Sequence, residues 1–513
     1  MKDFNDENEN FDFDYDYDLM LAEADFDKES DDYLYSDIPL GKEQIDNYTI
    51  PSLHGCDSRD GTFCTRPLSE MGNALRLQDN LRNDIHFIYD ADSWLHWEQN
   101  NWVWCLDGAK IRSEAGNLYG QIYTEGHTNI GDAKLFANWS RASQKQNTIK
   151  ASVALLKDFE NLRLTLSTLD ANKYLIGIND AIDLIDLETG ASRPVKREDY
   201  ITKTLNVSYM GRVSDAIIWK SFLDQVFEGD QELISWLKRW CGYLLTGSTE
   251  EHLLVFCYGN GANGKSVFAE TLTHILGDYA RAISAETLTD SKRSAGSASP
   301  DIADLIGARL ALSSETEIDK PLAESLVKSL VSGDSMTARK LYSQPIQFIP
   351  QFKLMILGNH KPTIKGDDHG IWRRIRLVPF KRVFKVNERD LKLLDKLKAE
   401  TPHILAWMVE GCLEWQKQGL GDTPAAIQEA TVEYKEGQNI IGLWLGECCD
   451  LLKSAETSSS VLYSSYKNWC NENGLQSASN ITLGRSLGQC GYKKRKTNGK
   501  TLWGGIALKN TNS

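Results

Sequence analysis

The run Gly259-Asn260-Gly261-Ala262-Asn263-Gly264-Lys265-Ser266 has the make-up of a phosphate cradle. Its glycines let the backbone curl until successive N–H groups, with a helix N-terminus behind them, aim at one anion. The Lys265 ammonium then reaches β- and γ-phosphates, and the Ser266 hydroxyl is placed to ligate Mg²⁺. A structural glycine turn is the competing reading, and G-x-x-x-x-G-K-S escapes it only between a strand and a helix. Farther on, Ser314-Glu315-Thr316-Glu317 offers carboxylates that polarise a water or complete a magnesium shell. Asn359 offers an amide that orients this water against the γ-phosphate, and Arg373-Arg374-Ile375-Arg376 offers cations for transition-state charge. The chemistry implied is hydrolysis of a nucleoside triphosphate, with ATP and Mg²⁺ as the expected ligands.

These groups need rigid elements to hold them. Leu253 to Tyr258 is an apolar run that reads as a buried strand, and the residues after the loop place Val267, Leu272, Ile275 and Leu276 on one helical face. Arg309–Ser314, Lys353–Gly358 and the segment ending at Phe380 read as further buried strands, the first two delivering Glu315 and Asn359 at their ends. Strand ends are where α/β sheets place ligand chemistry. Leu322–Val331 reads as an amphipathic helix and Ser291–Pro300 as a loop. Thr337–Tyr342 and Ile346–Phe352 read as a hairpin carrying Arg339 and Lys340 toward its tip. The predicted fold class is therefore α/β, a P-loop NTPase core.

Composition narrows the setting. Hydrophobic residues make up 41% and charged residues 25%, ordinary for a globular chain. No signal peptide and no apolar run of membrane-spanning length is visible, so no membrane association and a cytoplasmic location are expected. The ten cysteines form no C-x-x-C pair and read as reduced thiols, with His54, Cys56 and Cys64 lacking a convincing second pair for zinc. The net charge of −15 is concentrated at one end: residues 1–46 hold 17 Asp/Glu against 3 Lys, and the remainder is close to neutral. The pI of 5.2 thus describes a tail and does not exclude nucleic acid as a partner for the body. The tail, with FDFDYDYD and DDYLYSD, is expected to be disordered. It reads either as a solubilising segment or as a DNA mimic for a basic surface.

Residues 47–213 are expected to form an accessory α/β domain. Ser93–Cys105 suggests a hairpin about Asn100-Asn101. Its Trp94, Trp97, Trp102 and Trp104 fit a buried core better than a base-stacking platform. Asn138–Leu162 is helical in pattern, and Tyr174–Thr189 reads as short strands around a turn. No spaced acidic triad of the kind a polymerase or primase needs is present. Residues 214–400 contain the loop and its strands, opened by a helical stretch with Trp219, Phe222, Leu223, Leu233, Trp236 and Leu237. Residues 401–436 read as a helical connector. In 437–513, helices over Ile440–Leu452, Val461–Asn473 and Thr482–Cys490 precede a hairpin turned at Asn498-Gly499. That pattern predicts a winged-helix module whose wing presents Lys493, Lys494, Arg495 and Lys496 to DNA phosphates.

The order of these parts resembles the superfamily 3 helicases, in particular the phage and plasmid primase–helicase family related to the poxvirus nucleoside triphosphatase. The motifs that carry it are G-D-S-M-T-A-R-K-L-Y, F-K-L-M-I-L-G-N-H-K-P and G-I-W-R-R-I-R-L-V-P-F, with Asn179–Tyr200 and Leu244–Thr249 upstream. The resemblance implies an AAA+-like core in which Lys265 and Ser266 form Walker A, Glu315 is the catalytic carboxylate, Asn359 the sensor and Arg374 the arginine finger, with Arg373 as alternative. It also implies that Arg339 and Lys340 contact DNA inside a homo-hexameric ring tracking 3′ to 5′ on single-stranded DNA. Ser314 stands where many members carry an acid, so Glu315 and Glu317 both remain candidates for supporting Mg²⁺. Members with an upstream primase-polymerase domain lead to a further expectation, a helicase working on replication-fork or origin DNA with a separate primase or single-strand-binding protein. Two other readings stay open: an origin-binding initiator that uses ATP as an assembly switch, and an ATPase that remodels a partner protein.

Overall fold

In the computed structural model the described residues are 66–128, 133–178, 183–209, 212–289, 299–314, 321–339, 345–364, 369–438, 440–452, 455–475, 477–497 and 499–509. The acidic tail, the Ser291–Pro300 loop apart from its last two residues, and the tip of the Lys340 hairpin lie outside them.

The site is built on one layer of parallel strands with helices around it. In chain order these are α1 (Ile217–Val226), α2 (Gln231–Leu245), β1 (Leu254–Tyr258), α3 (Lys265–Leu276), β2 (Ala280–Ala282), β3 (Leu310–Ser314), β4 (Lys353–Gly358), β5 (Ile375–Pro379) and α4 (Thr401–Gln418). The sheet order is β2-β3-β4-β1-β5, and every pairing is parallel. Parallel sheets are covered on both faces, so the strands must be apolar on both. Val255, Cys257, Met355 and Val378 point into a core shared with Trp219, Phe222, Phe268 and Trp407. Their neighbours Leu254, Phe256, Leu354, Ile356 and Leu377 point into a second core with Leu305, Val327 and Tyr434. The alternation is the two-residue period of a strand, and it explains why these runs read as continuously hydrophobic.

Helices α2 and α4 cross closely: a Cβ on Gly242 would sit 2.0 Å from the Cys412 nitrogen, so only glycine fits there. The buried Glu400 carboxylate, just before α4, accepts from Ile218 N at 2.8 Å and Trp219 N at 2.7 Å and thereby caps α1. Before and into the connector the chain forms two helices, Leu393–Ala399 and α4, which meet at Glu400.

Upstream, the tryptophan hairpin is present but its turn is shifted. Glu98 pairs with Asn101, and Gln99 and Asn100 occupy the turn with φ of 49° and 63°. Trp94 and Trp102 are buried, and the Trp102 indole donates to Arg197 O at 2.9 Å, a core role. A second small sheet, Ala191–Pro194, Asp183–Asp186, Leu175–Ile178 and Thr204–Leu205 in order, follows. At the other end, Ile440–Cys448, Ser459–Glu472 and Asn480–Gln489 are helices, and Lys493–Thr497 pairs antiparallel with Lys500–Gly504. Glu456–Ser458 adds a third strand. Three residues without apolar alternation gave no signal of it in the sequence.

Candidate nucleotide site

The glycine-rich loop joins the C-terminal end of β1 to the N-terminus of α3, the context that the motif requires. Gly264 takes φ 89° at the N-cap and lies against Val226 and Phe222, where a Cβ would meet Val226 Cγ2 at 2.8 Å. The N-cap Gly264 has no side chain, and Asn263 Oδ1 accepts from the first N–H of α3, Lys265 N, at 3.4 Å. The start of α3 lies on a cavity of 320 Å³ lined by Gly261 to Val267, Ser314 and Leu357 to Asn359. A helix start facing a cavity suits an anion.

Lys265 is buried with its ammonium turned into this cleft. It donates to Gly259 O, to Asn263 Oδ1 at 3.3 Å and to Asn359 Oδ1 at 3.0 Å. Burial lowers the pKa of this ammonium below its usual value, and the neighbouring Cys257 only partly offsets that. All three acceptors are neutral, so among the described residues this ammonium has no anionic hydrogen-bond partner. Ser266, the second residue of α3, is exposed on the same cavity.

Parallel pairing brings the ends of β1, β3 and β4 to one edge. Asn359 follows the last residue of β4 and faces Lys265, while Ser314 ends β3 and lines the cavity. Glu315 and Glu317 lie outside the described residues, and so does Lys340. Among the described residues no cluster of three or more His, Cys, Asp or Glu is placed to hold a metal. The Ser266 hydroxyl, on the cavity, is an oxygen donor of the kind that Mg²⁺ takes.

Arg374 stands elsewhere. Its carbonyl accepts from Leu254 N at 2.9 Å, at the start of β1, and its Nη1 donates to Gly370 O at 2.6 Å. The far end of the same strand reaches the loop, with Phe380 N donating to Tyr258 O at 2.8 Å. Six residues of extended chain, roughly 20 Å, separate the two ends. Within one chain Arg374 and Lys265 are not brought together. Arg373, beside it, is exposed. Arg339 follows the strand Met336–Ala338, which pairs with Ile346–Phe348, and is exposed. Lys493, Lys494, Arg495 and Lys496 lie exposed on the edge strand Lys493–Thr497, where Arg495 pairs with Glu456 at 2.9 Å. None of these positions lines the cavity at the loop.

Three family models match the chain: "D5 N terminal like" over residues 74–228, "Family of unknown function (DUF5906)" over 257–374 and "Poxvirus D5 protein-like" over 437–507. The two D5-named matches lie on either side of the region that holds the loop. The chain is 26% identical over 506 residues to "Putative helicase L207/L206" of Acanthamoeba polyphaga mimivirus, covering 87% of the chain and 52% of the relative. It is 30% identical over 250 residues to "Putative helicase 022R" of Frog virus 3, covering 44% and 25%. It is 23% identical over 337 residues to "Putative primase C962R" of African swine fever virus, covering 61% and 34%. The chain therefore spans about half or less of the length of these relatives. A solved structure described as "The A form apo structure of NrS-1 C terminal region-CTR" aligns with 85% of the chain and 98% of its own, at 10% identity and a TM-score of 0.49.

Several contacts of the site were not legible in the motif. The segment after β5 folds over the loop: Phe384 N donates to Ala262 O at 2.9 Å, and Asn263 Nδ2 donates to Phe380 O at 3.2 Å. Lys361 sits 4.3 Å from the Tyr258 ring centroid and 5.5 Å from that of Tyr434, bracing the end of β1. Nothing in the spacing of these residues announces such contacts, because they depend on β1 and β5 being neighbours. Among the described residues no helix is long and apolar enough to cross a membrane.

Proposed function

We propose that the chain is the motor of an ATP-dependent DNA helicase used in replication of a virus or similar element, acting in the host-cell cytoplasm. The observation that carries this reading is the meeting of Lys265 and Asn359 at 3.0 Å at the start of α3. Strand β4, inserted between β1 and β3, makes that meeting possible. The order β2-β3-β4-β1-β5 is what an AAA+-like P-loop ATPase needs, since it sets a polar strand end between the phosphate loop and the catalytic carboxylate. The names of the viral relatives point the same way.

In this reading the loop N–H groups and Lys265 bind the β- and γ-phosphates of ATP. Asn359 orients the attacking water, and Glu315 accepts its proton. Ser266 with Glu315 or Glu317 would hold Mg²⁺, which neutralises charge on the phosphates when bound. The distance between Arg374 and Lys265 within one chain makes Arg374 a donor to the site of a neighbouring subunit, so the active form is a ring, a homo-hexamer by family resemblance. Movement of the Arg339–Lys340 hairpin then follows hydrolysis and draws single-stranded DNA. The C-terminal module is a winged helix that holds fork or origin DNA through Lys493 to Lys496, and a separate primase or single-strand-binding protein completes the replication machinery.

A forked-duplex unwinding assay with ATP and Mg²⁺ tests the proposal. Wild type should unwind, while Lys265→Ala and Lys340→Ala should not. Lys340→Ala should keep both ATPase activity and ring assembly. An ATPase indifferent to single-stranded DNA, with no unwinding, would rule the motor out.

A further inference from the structure

Asn263 belongs to the loop by position, yet its side chain is buried, 3% exposed, and reaches out of the loop on both sides. Its Oδ1 accepts from Lys265 Nζ at 3.3 Å and from Lys265 N at 3.4 Å. Its Nδ2 donates to the Phe380 carbonyl at 3.2 Å. Phe380 is not free to follow the loop, because its own N–H is bonded to Tyr258 O and its ring packs on Phe227 and Phe268. The contact is close-packed as well: a Cβ on Gly259 would lie 2.5 Å from Asn263 Nδ2 and 2.3 Å from Phe380 O. A lysine ammonium on a flexible four-carbon stem has no preferred direction of its own, so something must aim it.

We propose that Asn263 is a positioning residue whose amide ties Lys265 to the Phe380 carbonyl, so that strand β5 as well as the loop sets where the ammonium meets the phosphates. This rests on the triphosphate reading of the site. A primary amide suits the task because one planar group carries both the acceptor for Lys265 and the donor for Phe380. A carboxylate keeps only the first, and a methyl keeps neither.

The test uses the full chain with Asn263→Ala and Asn263→Asp, measuring ATP affinity and turnover separately and taking Lys265→Ala as reference. Asn263→Ala leaves the lysine present but unaimed, so kcat should fall about tenfold or more while the ATP Kd moves less than about threefold. Asn263→Asp sets an anion beside the phosphates and should instead weaken ATP binding about tenfold or more. Wild-type kinetics in both variants, or equal losses of kcat and affinity in both, would overturn the proposal, since a role confined to folding produces no such split. If Asn263→Ala fails to fold, Asn263→Ser, whose shorter hydroxyl cannot span from Lys265 to the Phe380 carbonyl, is read in the same way. Lys265→Ala separates the two levels. If it binds and hydrolyses ATP like wild type, the triphosphate site itself is wrong. If it fails while Asn263→Ala is normal, only the positioning role falls.

Discussion

Lys353 and Lys265 show one residue type put to two uses. Lys353 opens β4 at the edge opposite the cavity, is 2% exposed, and donates to Thr246 O, to Ser248 O at 3.3 Å and to Gln351 O at 3.4 Å. Its ammonium also lies 4.6 Å from the Tyr243 ring centroid. Burial first, and the nearby Arg309 second, push its pKa well below the ordinary 10.5. No phosphate can reach it, so its role is to bind together the backbone beneath the sheet. Lys353→Met would leave those carbonyls without their donor and should lower stability by about 2–4 kcal/mol in urea unfolding. The pH dependence has a definite sign. Between the lowered folded value and 10.5 the unfolded chain binds more protons than the folded one, so the lysine makes stability rise with pH in that window. Lys353→Met should lose this slope, and an unchanged wild-type-minus-variant difference across that range would contradict the assignment.

At the level of elements, β5 is the strand on which the proposed mechanism turns. It begins next to Arg374, on the edge where Leu254 starts β1, and runs to Phe380, on the edge where the loop starts. One strand thus serves two sites, its own chain's loop and, in the ring reading, a neighbour's. Mixing subunits tests this directly. Lys265→Ala and Arg374→Ala should each be inactive alone, with losses of about 10³-fold or more for the arginine. A one-to-one mixture should regain hydrolysis at on the order of a quarter of its interfaces, where an intact loop meets an intact arginine. No recovery in assembled mixed rings would place Arg374 outside the site.

Across the whole molecule, charge is segregated. The acidic residues crowd into positions 1–46, while basic residues crowd onto the exposed edge strand Lys493–Thr497. A charged edge strand also discourages unwanted strand pairing, so exposure alone does not make it a DNA contact. Salt dependence distinguishes the two roles. Replacing Lys493, Lys494 and Lys496 with alanine should reduce the slope of log affinity for duplex DNA against log salt by up to about 2.7, at about 0.9 for each phosphate that is no longer neutralised. ATP binding at the distant loop should be unaffected. An unchanged slope would leave the strand a solubilising edge.

Much of the site was open to reading from the chain alone, because its signals are local. The glycines and Lys265-Ser266 sit within eight residues, and each buried strand is a contiguous apolar run whose polar end is the next residue along. Steric freedom at glycine and two-residue alternation act over neighbours, and so they are written in sequence. Local pattern failed where the signal was short or the turn ambiguous, as with Glu456–Ser458 and the Gln99-Asn100 turn. Strand order is another matter. That β4 stands between β1 and β3, that Asn359 therefore faces Lys265, and that Arg374 lies a strand's length away on the opposite edge follow from pairings between segments up to about 120 residues apart. The bond from Asn263 to Phe380 spans 117 residues and depends on β1 and β5 lying side by side. No property of either residue encodes it, because the free energy that selects the pairing belongs to the two cores on either side of the sheet.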